Sequence, residues 1–599
     1  MKRLSDLVKG TDQQNPFSDS QARNFSDSKV INEFCPISNY WSLFNDQHEI
    51  LLGTRGSGKT FLLRMMRYSM LKHINDPRAK EIAQKKEFIA LYVPMHLEFV
   101  SHFTNANMTE EMQILLFQIS FNFLLAESLL VELKEILSEE QDRLIWAQKT
   151  LTLSAAINSV WFDEDDNISD FFSLSAKIKK IFYNFNIDSN NLKDISPVFK
   201  HQIGTPLIAV KELISKEIGL TEEPTWIICI DEAEFLSEPL QRCINSIFRS
   251  DSKRVALKVA TLPFYHRTLK TLDPKITVSA ENDFCYRVVD LKYNDQDFIN
   301  LTNSLCVSRL KTRFDANLTI SSLEEFVGMC GNDDQIDYYR NEVGEEEASY
   351  ESIIEGIISE LSDTRKKHSS RYKNQRKTIY DKFAPIFYVR RMYLLSKQGN
   401  RKPGWYAGSQ MIRKISQGNP RAFIQIMNKL FEKARKSELT PKVQHSVILD
   451  YAKTFCFSTL ALENTGPTIY KELEIISKTL NSNVHDSYLK SAGSNFILKF
   501  DSNESFDFAQ KWIVQAIAYS RITVNSDTLI HGISKTSEYL LSNAYAAYYW
   551  IPMRADVSPK KISIENNQVT TYLISMDKEN EKNQIRQLSF FEENDDDNR

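Results

Sequence analysis

The sequence predicts an α/β fold, a parallel sheet covered by helices, and three observations carry that prediction. A short apolar run, His48–Leu52, enters a glycine-rich turn that opens an amphipathic helix over Phe61–His73. Four more short apolar runs follow at Phe88–Val93, Trp226–Ile230, Val255–Ala260 and Tyr286–Leu291, with helical patterns between them. The run WIICI has no polar face, which suits a strand buried on both sides.

Between the second and third runs, 98–221 is too long for a loop and reads as a helical insertion, with helices at Met112–Leu137, Ser169–Phe185 and Leu207–Ile218. The domain reading is a polar lead-in over 1–30 containing Asn15-Pro16-Phe17, a sheet domain over 31–300, a helical lid over 301–438, a small domain over 439–560 and a flexible acidic tail over 561–599. The small domain shows a helix near Phe506–Ser520, a β-like Ile522–Val524 and a closing run Tyr539–Met553; a short strand fits Val569–Ile574. No apolar run reaches the roughly 20 residues that span a bilayer, and the N-terminus lacks a secretion signal, so a cytoplasmic protein without membrane contact is expected. Seven scattered cysteines form no metal-ligand spacing, and no zinc site is expected.

The glycine-rich turn is Gly53-Thr54-Arg55-Gly56-Ser57-Gly58-Lys59-Thr60, which fits G-x-x-x-x-G-K-[ST] between a strand and a helix. Its glycines let backbone N–H groups converge on phosphates, Lys59 reaches the β and γ oxygens of ATP, and the Thr60 hydroxyl ligates Mg²⁺. Asp231 and Glu232 follow WIICI and so end a strand beside the loop. Asp231 is expected to hold the metal, and Glu232 to orient and deprotonate water.

These residues resemble the AAA+ superfamily, in particular its initiator-like branch related to the origin-recognition complex, and also the STAND signalling ATPases. ILLGTRGSGKTFLLRMM and WIICIDEAE carry the resemblance. It implies Thr261 as the first sensor, Arg421 of Gln417-Gly418-Asn419-Pro420-Arg421 as a second sensor touching the γ-phosphate from the lid, and Arg267 as a candidate arginine finger. It also implies a winged-helix-like domain after the lid, oligomeric or hetero-complex assembly, and action on DNA. A role in bacterial anti-phage defence or a mobile element follows by association; the STAND alternative is a switch controlling a separate effector protein.

Net charge is −4, yet 364–436 holds 20 Lys and Arg against two acids, Asp381 and Glu432. Arg365, Lys366, Lys367, Arg371, Lys373, Arg376 and Lys377, with Tyr372 among them, are expected to line a phosphate backbone, and Arg390, Arg391, Arg401, Lys402, Arg413 and Lys414 to extend the field. The alternative is a lid offset by the acidic stretch before it. Near the end, Gln587-Leu588-Ser589-Phe590-Phe591 resembles the peptide that docks on the bacterial sliding clamp.

Overall fold

The computed structural model describes residues 14–21, 25–103, 108–162, 168, 170–187, 201–250, 254–313, 321–327, 334–363, 366, 376–397, 404–462, 465–486, 488–490, 492–555, 559–565 and 568–570. The first sheet contains β1 (Glu49–Leu52), β2 (Phe88–Pro94), β3 (Thr225–Asp231), β4 (Val255–Thr261) and β5 (Cys285–Val288). Their order is β2-β3-β4-β1-β5, and every pairing is parallel. Leu52 lies opposite Thr261 on one side and Val288 on the other, which sets the ends of β4 and β5 beside the turn that follows β1. β3 and β4 are buried at every position, as strands covered on both faces must be. This is the expected parallel sheet of an α/β fold, with β5 closing at Val288 instead of Leu291.

The helix after the turn differs from expectation. In place of one helix over Phe61–His73 there are two, α1 (Lys59–Met65) and a short Tyr68–Leu71, with Arg67 extended between them at ψ 140°. The ladder is interrupted because the Ser69 N–H is taken by the buried Glu132 carboxylate at 2.8 Å. Glu132 belongs to α2 (Glu110–Leu137), the longest helix between β2 and β3. That helix corrects the membrane reading of the sequence: by length and composition it could cross a bilayer. Here 67% of its most apolar window is buried inside the fold, packed against β2. Arg143–Phe162, Phe171–Ile187 and Thr205–Glu217 accompany it. The first of these went unread because its apolar residues do not form one stripe, and Leu144 and Leu151 stay exposed.

After β5 the chain is mainly helical, including α3 (Arg376–Lys397), α4 (Ser409–Ser416) and α5 (Pro420–Ala434). A second sheet follows, β6 (Asn495–Phe500), β7 (Ile522–Thr523), β8 (Glu538–Leu541), β9 (Lys560–Glu565) and β10 (Gln568–Thr570), in the order β10-β9-β6-β8-β7, with α6 (Asn503–Ala518) between β6 and β7. β9 and β10 fall where the sequence suggested a flexible tail; Ile562, Ile564 and Val569 alternate inward and are buried. Lid helices and second sheet share one buried core, from Phe298 and Phe423 to Trp512 and Tyr545.

The polar lead-in also joins that core. Phe17 is buried against Phe326 and Phe431. Asn15 Nδ2 donates to Asn428 and Glu432, and Arg309 donates to the carbonyls of Pro16 and Asp19 and to Glu33.

Candidate nucleotide site

The turn after β1 is shaped by its neighbours before any ligand is considered. The Gly53 N–H still points at the Thr261 carbonyl, 3.4 Å away, and a Cβ at Gly53 would lie 2.6 Å from Ser57 Oγ and 2.7 Å from Val289. Gly56 and Gly58 take φ of +92° and +96°, the left-handed region open to glycine at no steric cost. Such a succession turns amides toward one point, and α1 begins at Lys59 with its positive end there. The sequence did not reveal Asp290, just past β5, whose carboxylate accepts the Thr54 N–H at 2.9 Å and the Thr54 hydroxyl at 3.1 Å.

Lys59 is 8% exposed, and its Nζ donates to the Gly53 carbonyl at 2.6 Å and the Thr54 carbonyl at 3.2 Å. Burial pulls its pKa down, against the pull of the carboxylates of Glu234, Asp290 and Asp231. Glu234, the last residue of the run IDEAE, is pushed up to about 7 by burial, with Lys59 opposing.

Asp231 ends β3 at 2% exposure and accepts from the Tyr92 hydroxyl at 2.8 Å, from the Glu232 N–H at 3.0 Å and from the Thr60 hydroxyl. Burial raises its pKa; the bonds from Thr60 and Tyr92 work the other way. Thr60 and Asp231, far apart in the chain, are thus in contact. Glu232 adopts φ +58°, a left-handed conformation costly for a side chain with a Cβ, and its Oε2 lies 2.9 Å from His96 Nδ1. Neither Tyr92 nor His96 carries a local motif; only the β2–β3 register brings them to Asp231 and Glu232.

Thr261 ends β4, and its Oγ1 is buried with no hydrogen-bond partner among the described residues. Arg421 sits in the first turn of α5, which is capped by Asn419 Oδ1 accepting from the Arg421 and Ala422 N–H groups. The Arg421 N–H lies 3.4 Å from the Gly56 carbonyl, so the lid touches the phosphate loop. Arg267 is exposed, its guanidinium 5.1 Å from the centre of the Tyr265 ring.

The hydroxyl and carboxylate of Thr60 and Asp231 are hard oxygen donors suited to Mg²⁺, and the convergent amides with Lys59 suit a triphosphate. The donor set therefore fits ATP with Mg²⁺.

The basic stretch is a partial correction. Arg413 is an internal residue, bonded to Thr302 at 3.0 Å, Glu324 at 2.6 Å and Asn303 at 2.8 Å. Arg390 donates to Glu360 and to the carbonyls of Val484 and Asp486. Arg391 pairs with the same Glu360, and Arg376 with Glu351. The acidic stretch before α3 neutralises part of it. Arg365, Lys367, Arg371, Tyr372, Lys373, Arg401, Lys402 and Gln587–Phe591 lie outside the described residues.

No curated protein matches the chain in sequence. Residues 15–561 match the ORC-CDC6-like family. The match runs from the Asn15-Pro16-Phe17 strap into β9 of the second sheet, taking in far more than the loop motif, and the chain belongs to the ORC-CDC6-like family of AAA+ ATPases.

Proposed function

We propose that this protein binds ATP with Mg²⁺, hydrolyses it, and uses the nucleotide state to set its lid and C-terminal unit on DNA. The observation that carries the hydrolysis reading is the Thr60 hydroxyl against the Asp231 carboxylate, with Lys59 behind them. Amides of 56–60 and Lys59 grip the phosphates, while Thr60 and Asp231 hold the metal. When bound there, Mg²⁺ would supply charge neutralisation to the phosphates. Glu232 orients and deprotonates the attacking water, Thr261 offers its buried hydroxyl to the γ-phosphate side, and Arg421 approaches that side from the lid. Arg267, exposed past β4, is the candidate for reaching a neighbouring copy's site. In Glu232→Gln, ATP binding should persist while turnover falls by about 10²- to 10⁴-fold. Normal turnover in that variant would assign water activation to another residue.

DNA contact is supported by the charge excess over 364–436, reduced by the internal arginines just described. Changing Arg365, Lys367 and Arg371 together to Glu should abolish salt-dependent DNA binding and leave ATP binding intact; unchanged DNA binding would remove this reading. A second reading, a switch that controls a separate effector protein, is favoured by the direct hydrogen bond that the Arg55 N–H of the phosphate loop donates to the Ala518 carbonyl of the C-terminal unit. ATP-dependent capture of a protein by Glu232→Gln, with no DNA binding by the wild type, would select it. A sliding-clamp contact through Gln587–Phe591 and a cytoplasmic location complete the proposal, tested by clamp binding with and without that segment.

A further inference from the structure

The phosphate loop is held from three sides, and one holder comes from the far end of the chain. The peptide of Arg55 is bonded in both directions: its N–H donates to the Ala518 carbonyl at 2.8 Å, and its carbonyl accepts from Asn419 Nδ2 at 2.9 Å. Its guanidinium lies 5.1 Å from the centre of the Tyr519 ring, Nη1 being 3.4 Å from that hydroxyl. Ala518 and Tyr519 close α6 of the C-terminal unit.

Gln417 ties the same unit to the lid. Its Nε2 donates to Thr523 Oγ1 at 3.4 Å, and its Oε1 accepts the Asn543 N–H at 3.0 Å. Asn543 Nδ2 in turn donates to the Lys414 carbonyl at 2.6 Å. Gln417 caps α4 in a left-handed conformation at φ +55°. Its neighbour Gly418 backs so closely onto β5's exit that a Cβ there would lie 1.8 Å from the Leu291 carbonyl oxygen. The turn Gln417–Asn419 is thereby pinned to the first sheet, to the phosphate loop and to the second sheet at once.

We propose that Gln417, with Thr523 and Asn543, positions the phosphate loop from the C-terminal unit, so that the grip on a nucleotide's phosphates depends on where the second sheet sits. The proposal rests on the reading of the loop as a triphosphate site. Amides bind phosphate well only when already converged, and a loop whose two consecutive peptide groups are bonded, one through the Arg55 N–H and the next through the Arg55 carbonyl, is held in place before the ligand arrives. Linkage runs in both directions, so bound nucleotide also changes the hold on the C-terminal unit. None of the three side chains touches the phosphate path itself; they act through Asn419, Arg55 and Ala518.

The test uses the full chain with Mg-ATP, Gln417→Ala, and the double variant Thr523→Val with Asn543→Ala, which leaves the loop and the lid turn unaltered. Both should raise KM for ATP about three- to tenfold, the effect of losing one or two hydrogen bonds, with kcat nearly unchanged. Amide exchange across 53–60 should quicken in both while the thermal midpoint holds. Gln417→Glu keeps the acceptor for Asn543 and should recover part of the loss. Wild-type KM and wild-type exchange in both variants would overturn the proposal, as would a loss that merely follows a lowered thermal midpoint and is not recovered in Gln417→Glu. If the wild type takes up no Mg-ATP, the nucleotide reading fails, and exchange over 53–60 in the free chain still decides the positioning claim.

Discussion

The phosphate loop and the lid both concentrate basic side chains, and the fold treats them in opposite ways. Lys59 is buried but rests on two backbone carbonyls, partners that a more strongly charged phosphate can displace. Arg413 is bonded through all three guanidinium nitrogens and Arg390 through Nε and Nη1 to fixed side chains and carbonyls, and Glu324 and Glu360 take up their charge. The difference teaches that a run of positive charge in a sequence measures supply. Whether a cation is available to a ligand depends on what already holds it.

That contrast can be broken by substitution. The largest effect should come from Lys59→Ala, which should weaken Mg-ATP binding by at least about 100-fold in calorimetry without unfolding the chain. Undiminished binding would place the phosphate grip elsewhere. Arg413→Ala should do the reverse, lowering stability by about 3–5 kcal/mol in denaturant melts because Glu324, Asn303 and Thr302 lose a nearly buried partner. Arg376→Ala, whose pair with Glu351 is open to solvent, should cost no more than about 0.5 kcal/mol. Equal melts for these two variants would dissolve the distinction between internal and available arginines.

A pH-dependent effect, smaller than that of Arg413→Ala, should come from Glu132, pushed up to about 7 by burial beneath the Ser69 bonds. The unfolded carboxyl titrates near 4.5, so the folded state keeps a proton that the unfolded state has lost. Its contribution is full below pH 4.5 and declines as pH rises through about 7, by a total on the order of 1–3 kcal/mol. Glu132→Gln should lack that slope, so the wild-type minus variant difference in stability should fall across this window. A wild-type minus variant difference that stays flat over this window would show the carboxyl to be ionised in the fold.

Much of the first sheet was legible because each strand is short, apolar and flanked by helical periodicity. The loop motif was legible because its glycines, lysine and threonine act locally, as the left-handed Gly56 and Gly58 bear out. Tyr92, His96 and Asp290 were not legible, since nothing beside them in the chain marks them. β9 was hidden by charge: Lys560, Lys561 and Glu565 surround its inward Ile562 and Ile564. The lead-in looked loose for a similar reason, with Phe17 and Phe25 the large apolar groups in the polar stretch 11–28.

By itself, the sequence determined the sheet's strands, the phosphate loop and the acidic pair that ends β3, because these depend on neighbours a few residues apart. Only the tertiary structure decided which arginines of the lid are consumed internally, that Asp290 and Asn419 brace the loop, and that Ala518 of the C-terminal unit bonds to Arg55. Those contacts join residues tens to hundreds of positions apart, and their bonding is set by packing in space, which no local pattern records.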